Sequence, residues 1–272
     1  MLKITSRDNQ RLKFAGKVCN GRVRDAIFLE GGRLAEEVLG TDLAILDVLF
    51  TGNFRQTERG QTFLREIESR TANLAEVTEK IFNSLSDTKQ PQGIIVIAAK
   101  PATGKSVVEN NLQAKNHKFP LVVLLHQINN PSNLGAILRT AEAVNIVGVI
   151  LTENSADVFS PKALRGAMGA SLRLPIWTHA DFFEVLSWAK ENGLMLVCAD
   201  VSAGKSYLEI DWKMPRLLVF GSEAHGLSAK ERQAVGESLI IPMENNVESL
   251  NLAVSCGVIL FEANRQINKK GD

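Results

Sequence analysis

The sequence predicts an α/β protein built from two domains, and three observations carry that reading. Short apolar runs alternate with amphipathic stretches along the 272-residue chain, the pattern of strands layered against helices. From "LVVLLH" onward the strands show almost no polar alternation, as in a mainly parallel sheet covered on both faces. Between the halves, "SVVENNLQAKNHKFP" is polar and interrupted at Pro120, which reads as a linker. The expected layout is therefore a smaller α/β domain over 1–105, a linker over 106–119 and a second domain over 120–272.

In the first domain "AIFLEG" reads as a strand. "GRLAEEVLG" follows as a helix whose Leu34, Val38 and Leu39 share a face. Strand "LDVLFTG", helix "TERGQTFLREIESR", strand "LAEVT", short helix "EKIFNSLS" and strand "GIIVIAA" complete it. In the second domain strand "LVVLLH" leads to helix "NLGAILRTAEAV", strand "VGVILT", helix "SPKALRGAMG", strand "LRLPIW" and helix "DFFEVLSWAKENG". Strands "LMLVCA" and "RLLVFG", helix "SAKERQAVG", strand "SLIIPM" and a last helix from about Leu250 to Gln266 follow. There is no internal repeat and no low-complexity tract.

An apolar content of 45% and a charged content of 22% are those of a chain able to bury a sizeable core. The opening "MLKITSRDNQRLKF" has no continuous apolar run, so neither a leader nor a membrane span is expected. Cys19, Cys198 and Cys256 are isolated and odd in number. They offer no metal pair and no disulfide framework, which makes a reducing cytoplasm the expected compartment, with no metal.

The net charge of +1 hides an asymmetry. Residues 1–118 carry 18 Lys and Arg against 14 Asp and Glu (+4), whereas residues 119–272 carry 13 against 16 (−3). Lys3, Arg7, Arg11, Lys13, Lys17, Arg22 and Arg24 face Asp8 alone within the first 24 residues, a cluster that attracts a polyanion or is simply a solvated helix face.

Two Gly-Lys-Ser triplets invite a nucleotide-hydrolase reading. Ala99, Gly104, Lys105 and Ser106 have the spacing of a phosphate-binding loop, as do Ala199, Gly204, Lys205 and Ser206. Both lack the first glycine that permits the tight phosphate-facing turn. "VVENNLQAKN" is a poor helix, and "YLEIDWKMP" meets a proline within nine residues, so neither offers a helix N-terminus to a phosphate. Both triplets are read as turns.

Three other segments place polar residues where strands end. After "LVVLLH" comes "INNPSNLGAILRTAEAVN", in which Ser132 or Asn133 can cap a helix and Arg139 lies two turns in. Asn133 and Arg139 are six apart and so share no strict helical face. "LLVFGSEAHGLS" runs a buried strand into Gly221, Glu223 and Gly226 before a helix capped by Ser228. The carboxyl end of a parallel strand is where open α/β sheets hold ligands. "LIIPMENNVESLNLAVSCGVILFEANRQ" stops a strand at Pro242, and Ser249 is expected to cap the last helix with Asn251 in its first turn.

Together "NPSNLGAILRTAEA", "VFGSEAHGLS" and "IPMENNVESLNLAVSCGVILFE" resemble, in order and spacing, the three motifs of the SpoU/TrmH family of the SPOUT class. "FSPKALRGAMGASLRLPI" is similar to that family's linking segment, and the resemblance covers 120–267. Residues 1–100 more loosely resemble the substrate-binding domain of such enzymes. The resemblance implies an S-adenosylmethionine-dependent RNA ribose 2′-O-methyltransferase, a parallel-sheet catalytic domain with a deep trefoil knot, and a homodimer with the active site at the subunit interface. It implies cofactor contacts at Gly221, Ile241 and Leu250, and catalytic positions at Arg139, Asn133, Glu223, Ser249 and Asn251. Asn130, Asn145 and Asn245 depart from the usual Asp, Gly and Gly, and Asn is the side chain that best tolerates positive φ.

By the same resemblance Arg139 meets the 2′-hydroxyl, as base or as stabiliser of the alkoxide. A free arginine pKa of roughly 12.5–13.8 favours the second. The resemblance favours ribosomal RNA as substrate. Transfer RNA, or a non-catalytic RNA-binding or ribosome-assembly role on the same fold, are the alternatives.

Overall fold

The computed structural model describes residues 2–114, 118–245 and 247–268. The chain forms two compact units, Met1–Pro101 with Asp157–Arg173, and Ala102–Ala156 with Leu174–Asp272.

The first unit holds strands β1 (Leu2–Ile4), β2 (Ala26–Glu30), β3 (Ile45–Thr51), β4 (Leu74–Val77) and β5 (Ile94–Ala99) in the order β1-β4-β3-β5-β2. β1, β4 and β3 are parallel, while β5 runs antiparallel to both β3 and β2. β2 and most of β5 are buried along their length, because helices cover the sheet and leave no wet face to demand alternation. β1 and the helix Gln10–Cys19 had no counterpart among the expected elements. The Asn9 side chain caps that helix by accepting from the Arg11 N–H, and Leu12, Ala15 and Val18 enter the core as its apolar stripe. Part of the basic cluster is structural: Arg11 Nε donates to Asp47 Oδ2 at 2.9 Å, and Arg11 Nη2 reaches the Asn73 carbonyl at 2.7 Å.

Residues 157–173 belong to this first unit even though the chain reaches them after β7 (Gly148–Thr152) of the other unit. Their helix Pro161–Ala167 packs on β2. Arg165 Nη2 lies 2.7 Å from Asp87 Oδ2, Arg173 pairs with Glu37, and Lys100 Nζ lies 4.8 Å from the centre of the Phe159 ring.

The second unit is built on six parallel strands, β6 (Leu121–Leu125), β7, β8 (Ile176–Ala180), β9 (Met195–Ala199), β10 (Arg216–Phe220) and β11 (Ser238–Leu239), in the order β11-β9-β10-β6-β7-β8. β6, β7 and β10 are buried at every residue, as their unbroken apolar runs require. β8 begins later than "LRLPIW" implied, since Ala170–Arg173 is a short helix. β11 is only two residues long, because the next residue, Ile240, leaves β9 and donates its N–H to the Lys205 carbonyl at 2.8 Å.

The expected linker is largely a helix, Lys105–Gln113, packed into the second unit. Val108 is fully buried among Val122, Val147 and Trp188, with Leu112 one turn on against the same cluster. Its polar residues serve specific bonds: Asn111 Nδ2 donates to the Val147 carbonyl at 2.7 Å, and Glu109 accepts from Trp188 Nε1 at 2.9 Å. A helix does follow the first Gly-Lys-Ser triplet. Strand β5 and that helix nonetheless belong to different compact units, and Lys105 Nζ lies 3.6 Å from Glu184. After the second triplet the Ser206 side chain caps a single 3-10 turn, Tyr207–Glu209, while Lys205 Nζ pairs with Glu237 at 2.8 Å.

Candidate active site at the carboxyl ends of β9, β10 and β11

β6 has β7 on one side and β10 on the other, so the chain leaves the sheet in opposite directions at this point. Such reversals open a crevice beyond the carboxyl ends of the strands. A cleft of ≈640 Å³ lies there, bounded by the segments that follow β9, β10 and β11 and by the helix Pro131–Ala143 that follows β6.

Asn130 caps the Pro131 helix, its side chain accepting from the Ser132 N–H at 2.9 Å with Pro131 at the first helical position. Asn133, one of the expected caps, is instead one residue past Ser132 inside the helix, and its side chain is free to cross the cleft. Asn133 Nδ2 donates to Glu223 Oε1 at 2.5 Å, and the Asn130 N–H donates to Glu223 Oε2 at 3.2 Å. From the far side Asn251 Nδ2 donates to Asn133 Oδ1 at 3.1 Å. The amide orientations form one consistent relay, Asn251 to Asn133 to Glu223, spanning three separate motifs.

The last helix starts at Leu252, later than the sequence implied, and its cap is Asn251. Asn251 Oδ1 accepts from the Ala253 N–H at 2.9 Å. Ser249 lies two residues ahead of the cap and lines the cleft. Asn145 and Asn245 adopt φ of 54° and 57°, the left-handed conformation that Asn tolerates better than most other side chains. Asn130 has φ −90° and is there for its capping oxygen.

Gly221, Ile241 and Leu250 all line the cleft, as do Asn133, Glu223, Ser249 and Asn251. Gly221 is required first by the closure of its own loop. A Cβ there would stand 2.3 Å from the Gly226 carbonyl carbon and 2.5 Å from the Leu227 nitrogen. The bare α-carbon lets residues 221–227 close on themselves, with Ser222 and Gly226 exchanging two backbone hydrogen bonds at 3.1 and 2.9 Å. Arg139 does not join the others: it is exposed and lies outside the cleft lining.

Sequence reasoning passed over Asp200 and Arg232, which also line the cleft. Asp200 stands at the carboxyl end of β9, the position that drew attention to Glu223 after β10. Burial alone would raise the Asp200 carboxyl. The Ser202 hydroxyl and N–H and the Arg232 guanidinium, 3.0 Å away, outweigh burial and hold it below the usual carboxylate range. Among the described residues no group of three or more His, Cys, Asp or Glu side chains is arranged to hold a metal, and no helix is long and apolar enough to cross a membrane.

A parallel α/β sheet with a polar relay and a ligand-sized cleft beyond its carboxyl ends defines a small-molecule-binding α/β enzyme domain. Residues 120–261 match the SpoU rRNA Methylase family and residues 9–96 match the MRM3-like substrate binding domain. The chain belongs to the SpoU rRNA methylase family.

An uncharacterized tRNA/rRNA methyltransferase of Synechocystis is 30% identical over 97% of this chain and 93% of its own length. The 23S rRNA (guanosine-2′-O-)-methyltransferase RlmB of Bordetella pertussis is 30% identical over 78% of this chain and 86% of its own. The crystal structure of an AdoMet-bound rRNA methyltransferase from Sinorhizobium meliloti superposes with a TM-score of 0.82 at 25% identity, covering 97% of this chain and 98% of that one.

Proposed function

We propose that the protein transfers a methyl group from S-adenosylmethionine to a ribose 2′-hydroxyl of ribosomal RNA. The observation that carries this reading is the Asn251–Asn133–Glu223 relay across the cleft of a SpoU-family fold. The residues present fit the cofactor. Leu227, Leu239, Ile241 and Leu250 give the cleft apolar walls suited to a purine, and its volume lies in the range of small-molecule sites. Glu223 and Asp200 supply the charge that complements a sulfonium and an ammonium.

S-adenosylmethionine supplies an electrophilic methyl whose leaving group is already in place, so the protein's work is positioning and proton removal. Gly221, Ile241 and Leu250 hold the cofactor. Asn133, locked by both neighbours, fixes the Glu223 carboxylate, which keeps a lone pair to accept the 2′-hydroxyl proton as that oxygen takes the methyl group. Ser249 and Asn251 orient the incoming sugar-phosphate, and Arg139 stabilises the developing alkoxide. Because Arg139 stands outside the cleft, its part requires bound RNA or a second subunit to bring the ribose between it and Glu223.

A homodimer supports that arrangement: Val254 and Phe261, 51% and 55% exposed, lie two turns apart on the helix Leu252–Asn268, an apolar stripe suited to a second copy. A trefoil knot in the second unit and a cytoplasmic location belong to the same reading. The first unit binds the RNA, its remaining exposed basic residues meeting phosphates.

Mapping ribose methylation in total RNA from a deletion strain tests the proposal. Loss of one or more 2′-O-methyl marks in ribosomal RNA is the expected result. Loss confined to transfer RNA would move the substrate, and no loss would remove the function.

A further inference from the structure

Residues 221–227 carry both Glu223 and part of the cofactor wall, and they form a self-bonded hairpin with two feet, Phe220 at the end of β10 and Ser228 at the start of the helix Ala229–Val235. Both feet are gripped by one residue. The His126 N–H donates to the Phe220 carbonyl at 2.9 Å, extending the β6–β10 ladder by one rung. The His126 ring, in a residue only 6% exposed, places Nε2 3.2 Å from Glu231 Oε1. The other oxygen, Glu231 Oε2, accepts the Ser228 N–H at 2.7 Å and closes the capping box at the second foot.

The ring is itself held. Nδ1 lies 3.1 Å from Thr152 Oγ1 of β7, and Phe182 packs edge-on with centroids 4.7 Å apart. Thr152 Oγ1 also accepts the Gln127 N–H at 3.0 Å, tying down the backbone that leads to Asn130 and Asn133.

We infer that His126 is a positioning residue for methyl transfer, bracing the two loops that bring Asn133 and Glu223 together. It does not line the cleft. Its side chain acts as a donor to Glu231, so the hairpin keeps its height above the sheet only while that bond is made. Burial makes the bond consequential: with the His126 and Glu231 side chains only 8% and 19% exposed, an oxygen deprived of its partner is poorly rehydrated.

The enzymatic part of this inference rests on the proposed function; the structural part does not, and the experiment separates them. His126→Leu keeps an apolar group of similar size and deletes the donor, while His126→Gln keeps an amide N–H near the position of Nε2. Hydrogen exchange of the intact protein reads the brace without any ligand. In His126→Leu the amides of Ser222–Ser228 are expected to exchange at least about tenfold faster, with β6 and β10 unchanged, and His126→Gln is expected to restore most of the protection. In methylation assays the leucine variant is expected to lose about tenfold in kcat with KM for RNA within about twofold, and the glutamine variant to recover.

Equal exchange in wild type and leucine variant overturns the brace. Glutamine behaving as leucine overturns the donor role and leaves only ring packing. If His126→Leu does not fold, Glu231→Ala cuts the same link from the other end and must loosen the same seven residues. A loosened hairpin in a protein that methylates no RNA would retire the proposed function and leave the brace standing.

Discussion

Gly221→Ala is the substitution whose outcome the structure specifies most tightly. The new Cβ would lie 2.3, 2.5 and 2.6 Å from the Gly226 carbonyl carbon, the Leu227 nitrogen and the Gly226 oxygen. All three are backbone atoms and none can rotate away. Reaching ordinary van der Waals contact requires the 221–227 hairpin to open by about 1 Å, which breaks the paired Ser222–Gly226 bonds. Overpacking of this kind costs roughly 1–3 kcal/mol, a drop in Tm of roughly 2–12 °C for a domain of this size. The same movement carries Glu223 away from Asn133 and shifts the cleft wall, so affinity for S-adenosylmethionine is expected to fall by about tenfold or more.

Differential scanning calorimetry and isothermal titration with S-adenosylmethionine read the two effects. Gly204→Ala, where an added Cβ meets nothing within 4 Å, is the control and is expected to be silent in both. A Gly221→Ala protein with wild-type Tm and wild-type cofactor affinity would refute the reasoning.

Arg139→Ala is expected to leave Tm within the error of a surface change, because the residue is exposed, yet to lower methylation more than about tenfold; a rate within that factor contradicts its assignment. Asn251→Ala removes a helix cap and is expected to cost about 1 kcal/mol in thermal unfolding. Asn251→Asp keeps the capping oxygen but loses the donor to Asn133, so unfolding should stay near wild type while methylation falls; wild-type activity in Asn251→Asp would deny the relay a role.

A pH prediction follows from His126. Burial lowers its pKa below 6.5, and the opposing pull of Glu231 does not cancel this. Below pH 6.5 the unfolded chain therefore binds a proton that the folded chain refuses, and acidification favours unfolding. Glu231 is depressed from 4.5, so its contribution is present above that value and is lost only at lower pH, as it titrates through its folded pKa. Thermal melts between pH 6.5 and 4.5 should show stability falling with pH in wild type, with a shallower slope in His126→Gln; parallel slopes would contradict the sign.

The fold was legible where burial writes itself into composition. β6, β7 and β10 are apolar at nearly every position because both sheet faces are covered, and the sequence marks them without ambiguity. The Lys105–Gln113 helix was not legible. Its Asn111 and Glu109 look like solvent-facing residues and are in fact partners for a carbonyl and an indole, which only the tertiary structure supplies. The attachment of residues 157–173 to the first unit was hidden for the same reason, since its ion pairs join positions 78 and 136 residues apart.

At the candidate site the motif residues were readable one by one, but their connection was not. Asn133 and Glu223 are 90 residues apart, and nothing local announces that an amide on one loop will lock a carboxylate on another. The capping assignments erred by short steps, Asn130 for Asn133 and Asn251 for Ser249, because each stretch offers several side chains able to cap and only the backbone decides among them. Gly221 lines the cleft, and the structure adds a local reason for it, the closure of residues 221–227 on themselves, that no single segment of the sequence showed.

The central claim is tested most directly by incubating the protein with methyl-labelled S-adenosylmethionine and ribosomal RNA lacking the modification, digesting the RNA to nucleosides and separating them by mass. Label is expected in a 2′-O-methylated nucleoside, and none with Glu223→Ala. Label on a base, or no transfer from a preparation that binds both the cofactor and RNA, would contradict it.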